Sequence, residues 1–272
     1  MDNRKIGLVV MFLMVISSIT VANNPQKSTS SDKVVYESRE FHKLFENCGN
    51  PISKCPTVDM CYPEVVSTPN AVAKDSINKY VKDVLINGPP QGVVYDAQRG
   101  QRLNSFDQVA SELFSDYSDY MEMGGAGVYL FHDYISVASE TCGILSLQFD
   151  HLEYTGGAHE NYWRCFLNFD IYSGKQVHLS DVLKRGFESK LSSMAKLRFK
   201  EVRGENSRLW EVYQKGDFPL ANNYSIGREG ITFYYNPFDV GDFAEGTTEL
   251  SIKYDEIKDL IDEKGLLKRK VR

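Results

Sequence analysis

Near Gly124 the spacing of apolar residues changes period, and that change confines the chain to folds that combine helices with sheet. Upstream, Val72, Ala73, Ile77, Tyr80, Val81, Val84 and Leu85 recur at helical spacing behind Pro69-Asn70, and Gly88-Pro89-Pro90 stops the run. A second stripe of Phe106, Val109, Ala110, Leu113, Phe114, Tyr117 and Tyr120 begins behind Asn104-Ser105. Downstream, residues 128–138 and 144–154 are rich in β-branched and aromatic side chains, and Ser146, Gln148 and Asp150 alternate with Leu145, Leu147 and Phe149. Trp163, Cys165, Leu167 and Phe169 repeat the alternation against Arg164, Asn168 and Asp170. Alternation of this kind describes strands with one face in a core and the other toward solvent. The three segments read as an antiparallel meander.

After the turn Tyr172-Ser173-Gly174-Lys175, a helix is expected with Phe187, Leu191, Met194, Ala195 and Leu197 on its buried side. Strands follow at 224–226, 231–235 and 249–254, and Tyr254, Ile257, Leu260 and Ile261 suggest a short closing helix. Helices and antiparallel strands segregated along the chain give an α+β fold, an antiparallel sheet meander packed against several helices.

The first residues obey a different rule. Arg4 and Lys5 precede the apolar run Ile6 to Ile16, and Thr20-Val21-Ala22 offers the small residues an export peptidase reads. Residues 1–22 are therefore expected to be a signal peptide cleaved after about Ala22, since the apolar run falls short of the ~18–20 residues a spanning helix needs. The mature chain would then be periplasmic or extracellular. The alternative is an uncleaved anchor, which would be the protein's only contact with a membrane. Residues 23–59 form a polar linker and a Cys-rich loop. Residues 60–153 and 154–262 are expected to form two α+β subdomains, and 263–272 a basic tail.

Export gives the five cysteines a meaning, because an oxidising compartment favours disulfides. Cys48, Cys55 and Cys61 lie in a Pro/Gly-containing loop where a bridge would replace missing core, and Cys142 and Cys165 are the remaining candidates. Their spacing lacks the short C-x2-C pairs of zinc modules, so disulfides are favoured over metal. A hairpin folded about residues 157–158 places Cys165 opposite residue ~150 and leaves Cys142 ~25 Å further along, which argues against a direct bridge between them. The 272-residue chain has a net charge of −6. Its one basic cluster, Lys268-Arg269-Lys270 with Arg272, reads as a frayed tail, so no nucleic-acid partner is expected.

The most unusual local stretch is Tyr154-Thr155-Gly156-Gly157-Ala158-His159-Glu160-Asn161. Adjacent glycines allow a sharp turn or a close approach to the main chain, and Tyr154, Gly156, Gly157, His159 and Asn161 are the candidate binding residues. This stretch is followed by Asn168-Phe169-Asp170, Ser173-Gly174-Lys175 and Leu179-x-Asp181-Val182-Leu183. It is preceded by Tyr62-Pro63-Glu64-Val65 and Ile77-Asn78-Lys79-Tyr80-Val81. Further on come Gly230-Ile231-Thr232-Phe233-Tyr234, Asn236-Pro237-Phe238, Phe243-Ala244-x-Gly246 and the segment Leu250 to Ile261. In this order, over roughly residues 60–262, the chain resembles the extracellular region of the RsiV-like anti-sigma factors, which also occurs beside PdaC-type peptidoglycan deacetylase domains. Residues 60–153 resemble the N-terminal part of the PdaC-associated region, and residues 154–262 resemble the C-terminal part of RsiV. The resemblance implies a compact α+β domain outside the cytoplasm that binds a lysozyme-like protein. Only five residues precede the apolar run, so no sigma-factor-holding segment is expected, and the metal-binding Asp-Asp pair of the deacetylases is missing.

No catalytic constellation, metal site or cofactor is expected, and three functional readings compete. The first is a binding or sensing module for a lysozyme-like protein. The second is a cell-wall glycan binder that uses exposed aromatics, drawn from the chain's 16 Tyr and 15 Phe. The third is a hydrolase centred on His159, which requires His151 and Glu153 to converge with it.

Overall fold

The computed structural model describes residues 33–46, 55–89 and 102–269. The expected signal segment 1–22, most of the linker that follows it, and Cys48 lie outside these residues. In chain order come β1 (Val35–Leu44), β2 (Thr57–Ser67), α1 (Ala71–Asn87), α2 (Phe106–Glu122), β3 (Tyr129–Thr141), β4 (Ile144–Thr155) and β5 (Asn161–Asp170). Then follow α3 (Glu188–Arg203), α4 (Arg208–Tyr213), β6 (Tyr224–Ile226), β7 (Gly230–Tyr235) and β8 (Thr248–Lys253). The first five strands form one sheet in the order β1-β2-β3-β4-β5, and the last three form another.

The helices start and stop where their capping residues dictate. The Asn70 side chain accepts the Val72 N–H at 3.0 Å, and Gly88 closes α1 at φ 76° by donating its N–H to Val84. Ser105 accepts from Gln108 at the start of α2, where Asp107 adds a favourable charge to the first turn. Both helices present apolar stripes to one face of the five-stranded sheet. The core there joins Ile77, Val81, Leu85, Val109 and Leu113 to Phe131, Phe149, Trp163 and Leu167.

β3, β4 and β5 form the antiparallel meander, so the α+β class holds. The sheet as a whole is mixed, because β2 pairs in parallel with β3, Asp59 opposite His132. A parallel pair needs a long crossover, and the α1–α2 segment supplies it. Residues 35–44, expected to be part of the linker, instead form β1 and pair with β2, where Pro63 and the cysteine loop mask the strand pattern in the sequence. α1 and α2 cover one face of the sheet, while the outer face carries side chains that alternate with the buried ones along β2, β3 and β4 and stay accessible.

A separate core gathers Leu191, Ala195 and Phe199 of α3 against Ile231, Phe233, Leu250 and Ile252. These α3 residues follow a four-residue step, which leaves Leu197 on the opposite side of the helix, 61% exposed, contrary to expectation. The expected closing helix is a 3₁₀ turn at Tyr254–Glu256, and Ile261 instead bridges to Leu183. The expected subdomain boundary at 153/154 falls inside β4, and the first core runs through to Tyr172, beyond which the other takes over from Val177. The two cores meet at a polar joint. Buried Asn168 accepts the Ile226 N–H at 3.1 Å and donates to the Tyr224 carbonyl at 2.9 Å, while Ser139 and Ser146 donate to Ile226 O at 2.7 and 3.1 Å. These side chains act as the missing neighbour of β6, satisfying backbone groups that burial would otherwise leave unpaired.

The structure corrects two expectations about the cysteines and the tail. Cys61, Cys142 and Cys165 are free thiols, not disulfide partners. Cys165 lies opposite Phe149, whereas Cys142 and Gly143 form a tight two-residue turn at the far end of the β3–β4 hairpin, with φ of 50° and 74°. The C-terminal tail is not frayed at Arg269. The Arg269 guanidinium pairs with buried Asp170 and lies 4.7 Å from the Tyr172 ring centroid.

Candidate functional site

The double-glycine stretch leaves β4 after Thr155 and re-enters β5 at Asn161, which pairs with Glu153. Gly156 is the glycine this turn requires. It adopts φ +85°, and a Cβ there would lie 2.9 Å from the Tyr120 hydroxyl of α2. Gly157 has no such need, since its Cβ would meet nothing closer than 3.7 Å. Ala158, His159, Glu160 and Asn161 are exposed, and Tyr154 is half-buried on the outer sheet face.

His159 does not stand alone. Its ring stacks on Phe243 at 3.8 Å with an interplanar angle of 16°, and Nδ1 lies 2.8 Å from the Glu160 carbonyl oxygen. Phe243 in turn lies 5.8 Å from Phe238. Phe238 is 70% exposed and sits at φ 74°, a conformation that costs a bulky L-residue about 1–2 kcal/mol.

The surroundings hold that conformation in place. Asn236 donates its N–H to Asp239 at 2.6 Å and accepts the Asp239 N–H at 3.1 Å, closing a turn around Pro237-Phe238. The Asn236 amide also accepts the Arg164 N–H at 2.7 Å and donates to its carbonyl at 2.9 Å. Asn223 makes the matching pair of bonds with Phe166 N–H and Arg164 O, at 2.9 and 2.8 Å. Two asparagine side chains thus pair with the free edge of β5 and fix the Phe238 turn to the same strand that carries the His159 loop.

The residues expected for hydrolysis do not assemble. His151 is 4% exposed on the helix-covered face, its Nδ1 2.6 Å from buried Asp133 and its ring stacked on Trp163 at 4.9 Å. Glu153 lies 4.0 Å from His151 Nε2, outside hydrogen-bond reach, while His159 is engaged with Phe243. The period-two alternation of β4 puts His151 and Glu153 on one face, and that face is the helix-covered one. Among the described residues no group of three or more His, Cys, Asp or Glu is arranged to hold a metal ion. A cleft of about 740 Å3 opens between β2 and α1, and none of the expected site residues lines it. Its Lys82 and Glu64 pair with each other.

Phe238 and Phe243 belong to this patch although the residue spacing alone did not single them out. Their sequence signal is the Asn-Pro-Phe turn itself, which presents an aromatic behind a residue that cannot continue a strand.

Residues 180–255 match the family model described as Protein of unknown function (DUF3298). The matched DUF3298 segment spans α3 to β8 and includes Asn236, Phe238 and Phe243, but it stops short of the His159 loop. Two solved DUF3298-family structures share the fold. One, from Bacteroides fragilis NCTC 9343, is 20% identical with a TM-score of 0.69, over 88% of this chain and 98% of the other. The other, from Pseudomonas aeruginosa PAO1, is 16% identical with a TM-score of 0.66, over 86% and 97%. No curated protein matches the chain.

Proposed function

We propose that this DUF3298-like chain is an exported, RsiV-like recognition module that binds a basic partner protein, a lysozyme-like hydrolase, through His159, Phe243 and Phe238. One observation carries the reading: a bulky aromatic is held at positive φ by a network of amide bonds and pointed into water. Strain of that kind lowers stability without adding packing, so it fits a contact residue better than a scaffold residue. Large rings ordered before binding give contact area at little entropic cost. Asp239, Asp242 and Glu160 flank the rings in sequence, and with the net charge of −6 they favour approach by a cationic partner. The disulfide at Cys55 and the leader-like first residues support export to an oxidising compartment.

Titration calorimetry with lysozyme at ~0.15 M salt tests the proposal under conditions where long-range steering is partly screened. Binding is expected, and Phe238→Ala should weaken it by at least about tenfold, as for a central aromatic anchor. Absence of heat at ~100 μM lysozyme, where a usable site would be filled, refutes the lysozyme version.

A further inference from the structure

The outer face of the five-stranded sheet carries a pattern of its own. Strand registers place side chains in lateral rows across it. One row runs Glu40, Cys61, Tyr134, Asp150, Arg164; the next runs His42, Asp59, His132, Leu152, Tyr162. Tyr134 is 51% exposed near the middle of this face, and neither its ring nor its hydroxyl has a partner among the described residues.

A fixed carboxylate stands on either side of that ring. On the β4 side, Asp150 accepts from Gln148 Nε2 at 2.6 Å, from Arg164 Nε at 2.6 Å and from the Tyr162 hydroxyl at 2.8 Å. On the β2 side, Asp59 contacts His42 Nδ1 through one oxygen and lies 3.2 Å from His132 Nε2 through the other. Arg164 holds Asp150, and the imidazoles of His42 and His132 hold Asp59, so the face presents oriented hydrogen-bonding oxygens.

We propose that this face binds a neutral, β-linked oligosaccharide, with one sugar ring stacked on Tyr134. A pyranose with equatorial substituents gathers its axial hydrogens on one apolar face that can lie flat on an aromatic ring, while its hydroxyls radiate in the ring plane. Here those hydroxyls would meet Asp150 with Arg164 on one side and Asp59 with His132 on the other, and the oriented carboxylates keep accepting lone pairs for them. Glu40, Asp59 and Asp150 outnumber Arg164 in these rows, so an anionic ligand is disfavoured. A cationic one would have to compete with Arg164 for Asp150. The inference goes beyond the protein-binding reading and uses none of its three residues.

The test is NMR titration of the whole protein with two probes, cellotetraose and the β-1,4-linked N-acetylglucosamine tetramer. At about 5 mM probe, where even a ~1 mM site is mostly filled, shifts should centre on β2, β3 and β4 around Tyr134. A response to both probes indicates recognition of the ring face alone, and a response to only the acetylated one adds a requirement for the acetamido group. Tyr134→Ala should weaken binding by about tenfold and Tyr134→Phe should retain it, because stacking uses the ring and not the hydroxyl. Thermal unfolding confirms that both variants fold, and Phe238→Ala should leave the titration unchanged. The proposal is overturned if neither probe shifts the sheet resonances, if shifts fall elsewhere, or if folded Tyr134→Ala binds as well as wild type.

Discussion

Truncating the chain after Lys268 removes Arg269 and leaves Asp170 without its cationic partner. Asp170 is 8% exposed at the end of β5, and it also accepts the Ser173 hydroxyl at 2.8 Å and the Tyr172 N–H at 3.2 Å. Removing one member of a buried pair costs ~3–5 kcal/mol, but the Arg269 side chain is 27% exposed and two hydrogen bonds to Asp170 survive. A loss of about 2 kcal/mol follows, including ~0.5–1 from the lost stacking on Tyr172. For a domain of this size that lowers Tm by about 4–8 °C.

The pH dependence has a definite sign. Burial pushes the Asp170 carboxyl up, but the bonds from Arg269, Ser173 and the Tyr172 backbone outweigh it and hold it below the usual carboxylate range. A depressed folded-state pKa stabilises above the unfolded value of ~3.9, and that stability is lost as pH falls through the folded value. The gap between wild type and truncated protein should therefore be full at pH 7 and shrink below about pH 4. Differential scanning calorimetry at both pH values measures it. A Tm change under about 1 °C, or a gap that widens in acid, would refute the reasoning.

Gly174→Ala should cost at least about 2 kcal/mol in chemical denaturation, because Gly174 sits at φ +70° and a Cβ would lie 2.7 Å from Ala73 Cα at the start of α1. Phe238→Gly should raise stability by about 1 kcal/mol by relieving the positive φ while abolishing partner binding; a stability loss would show that the ring is packing. Cys165 should resist maleimide in the native protein and label only in denaturant, since burial pushes its thiol far up, whereas Cys61 and Cys142 are partly accessible. Native labelling at Cys165, read by mass spectrometry, would contradict its burial.

Much of the architecture was legible because its causes are local. Helical and alternating periods depend on near neighbours, so α1, α2 and the β3–β5 meander follow from the spacing of residues such as Ile77, Leu113 and Phe149. Cys165 fell within one residue of its expected partner because a tight hairpin fixes its own register. The sequence also marked the His159 turn, since Gly156 must take a backbone angle closed to other residues. It did not reveal β2, whose Pro63 and short alternation hide a strand that becomes recognisable only once it pairs with β1 and β3.

Sequence alone determined the α+β class, the capped helices α1 and α2, and a turn at Gly156-Gly157. Tertiary structure decided the parallel β2–β3 pairing, the burial of His151 away from His159, and the meeting of His159 with Phe243 and Phe238. Those outcomes rest on contacts between residues far apart in the chain, such as Asn236 with Arg164 and Asn168 with Ile226. Such pairings form only when a sheet edge and a loop are both in place, and no local spacing encodes them.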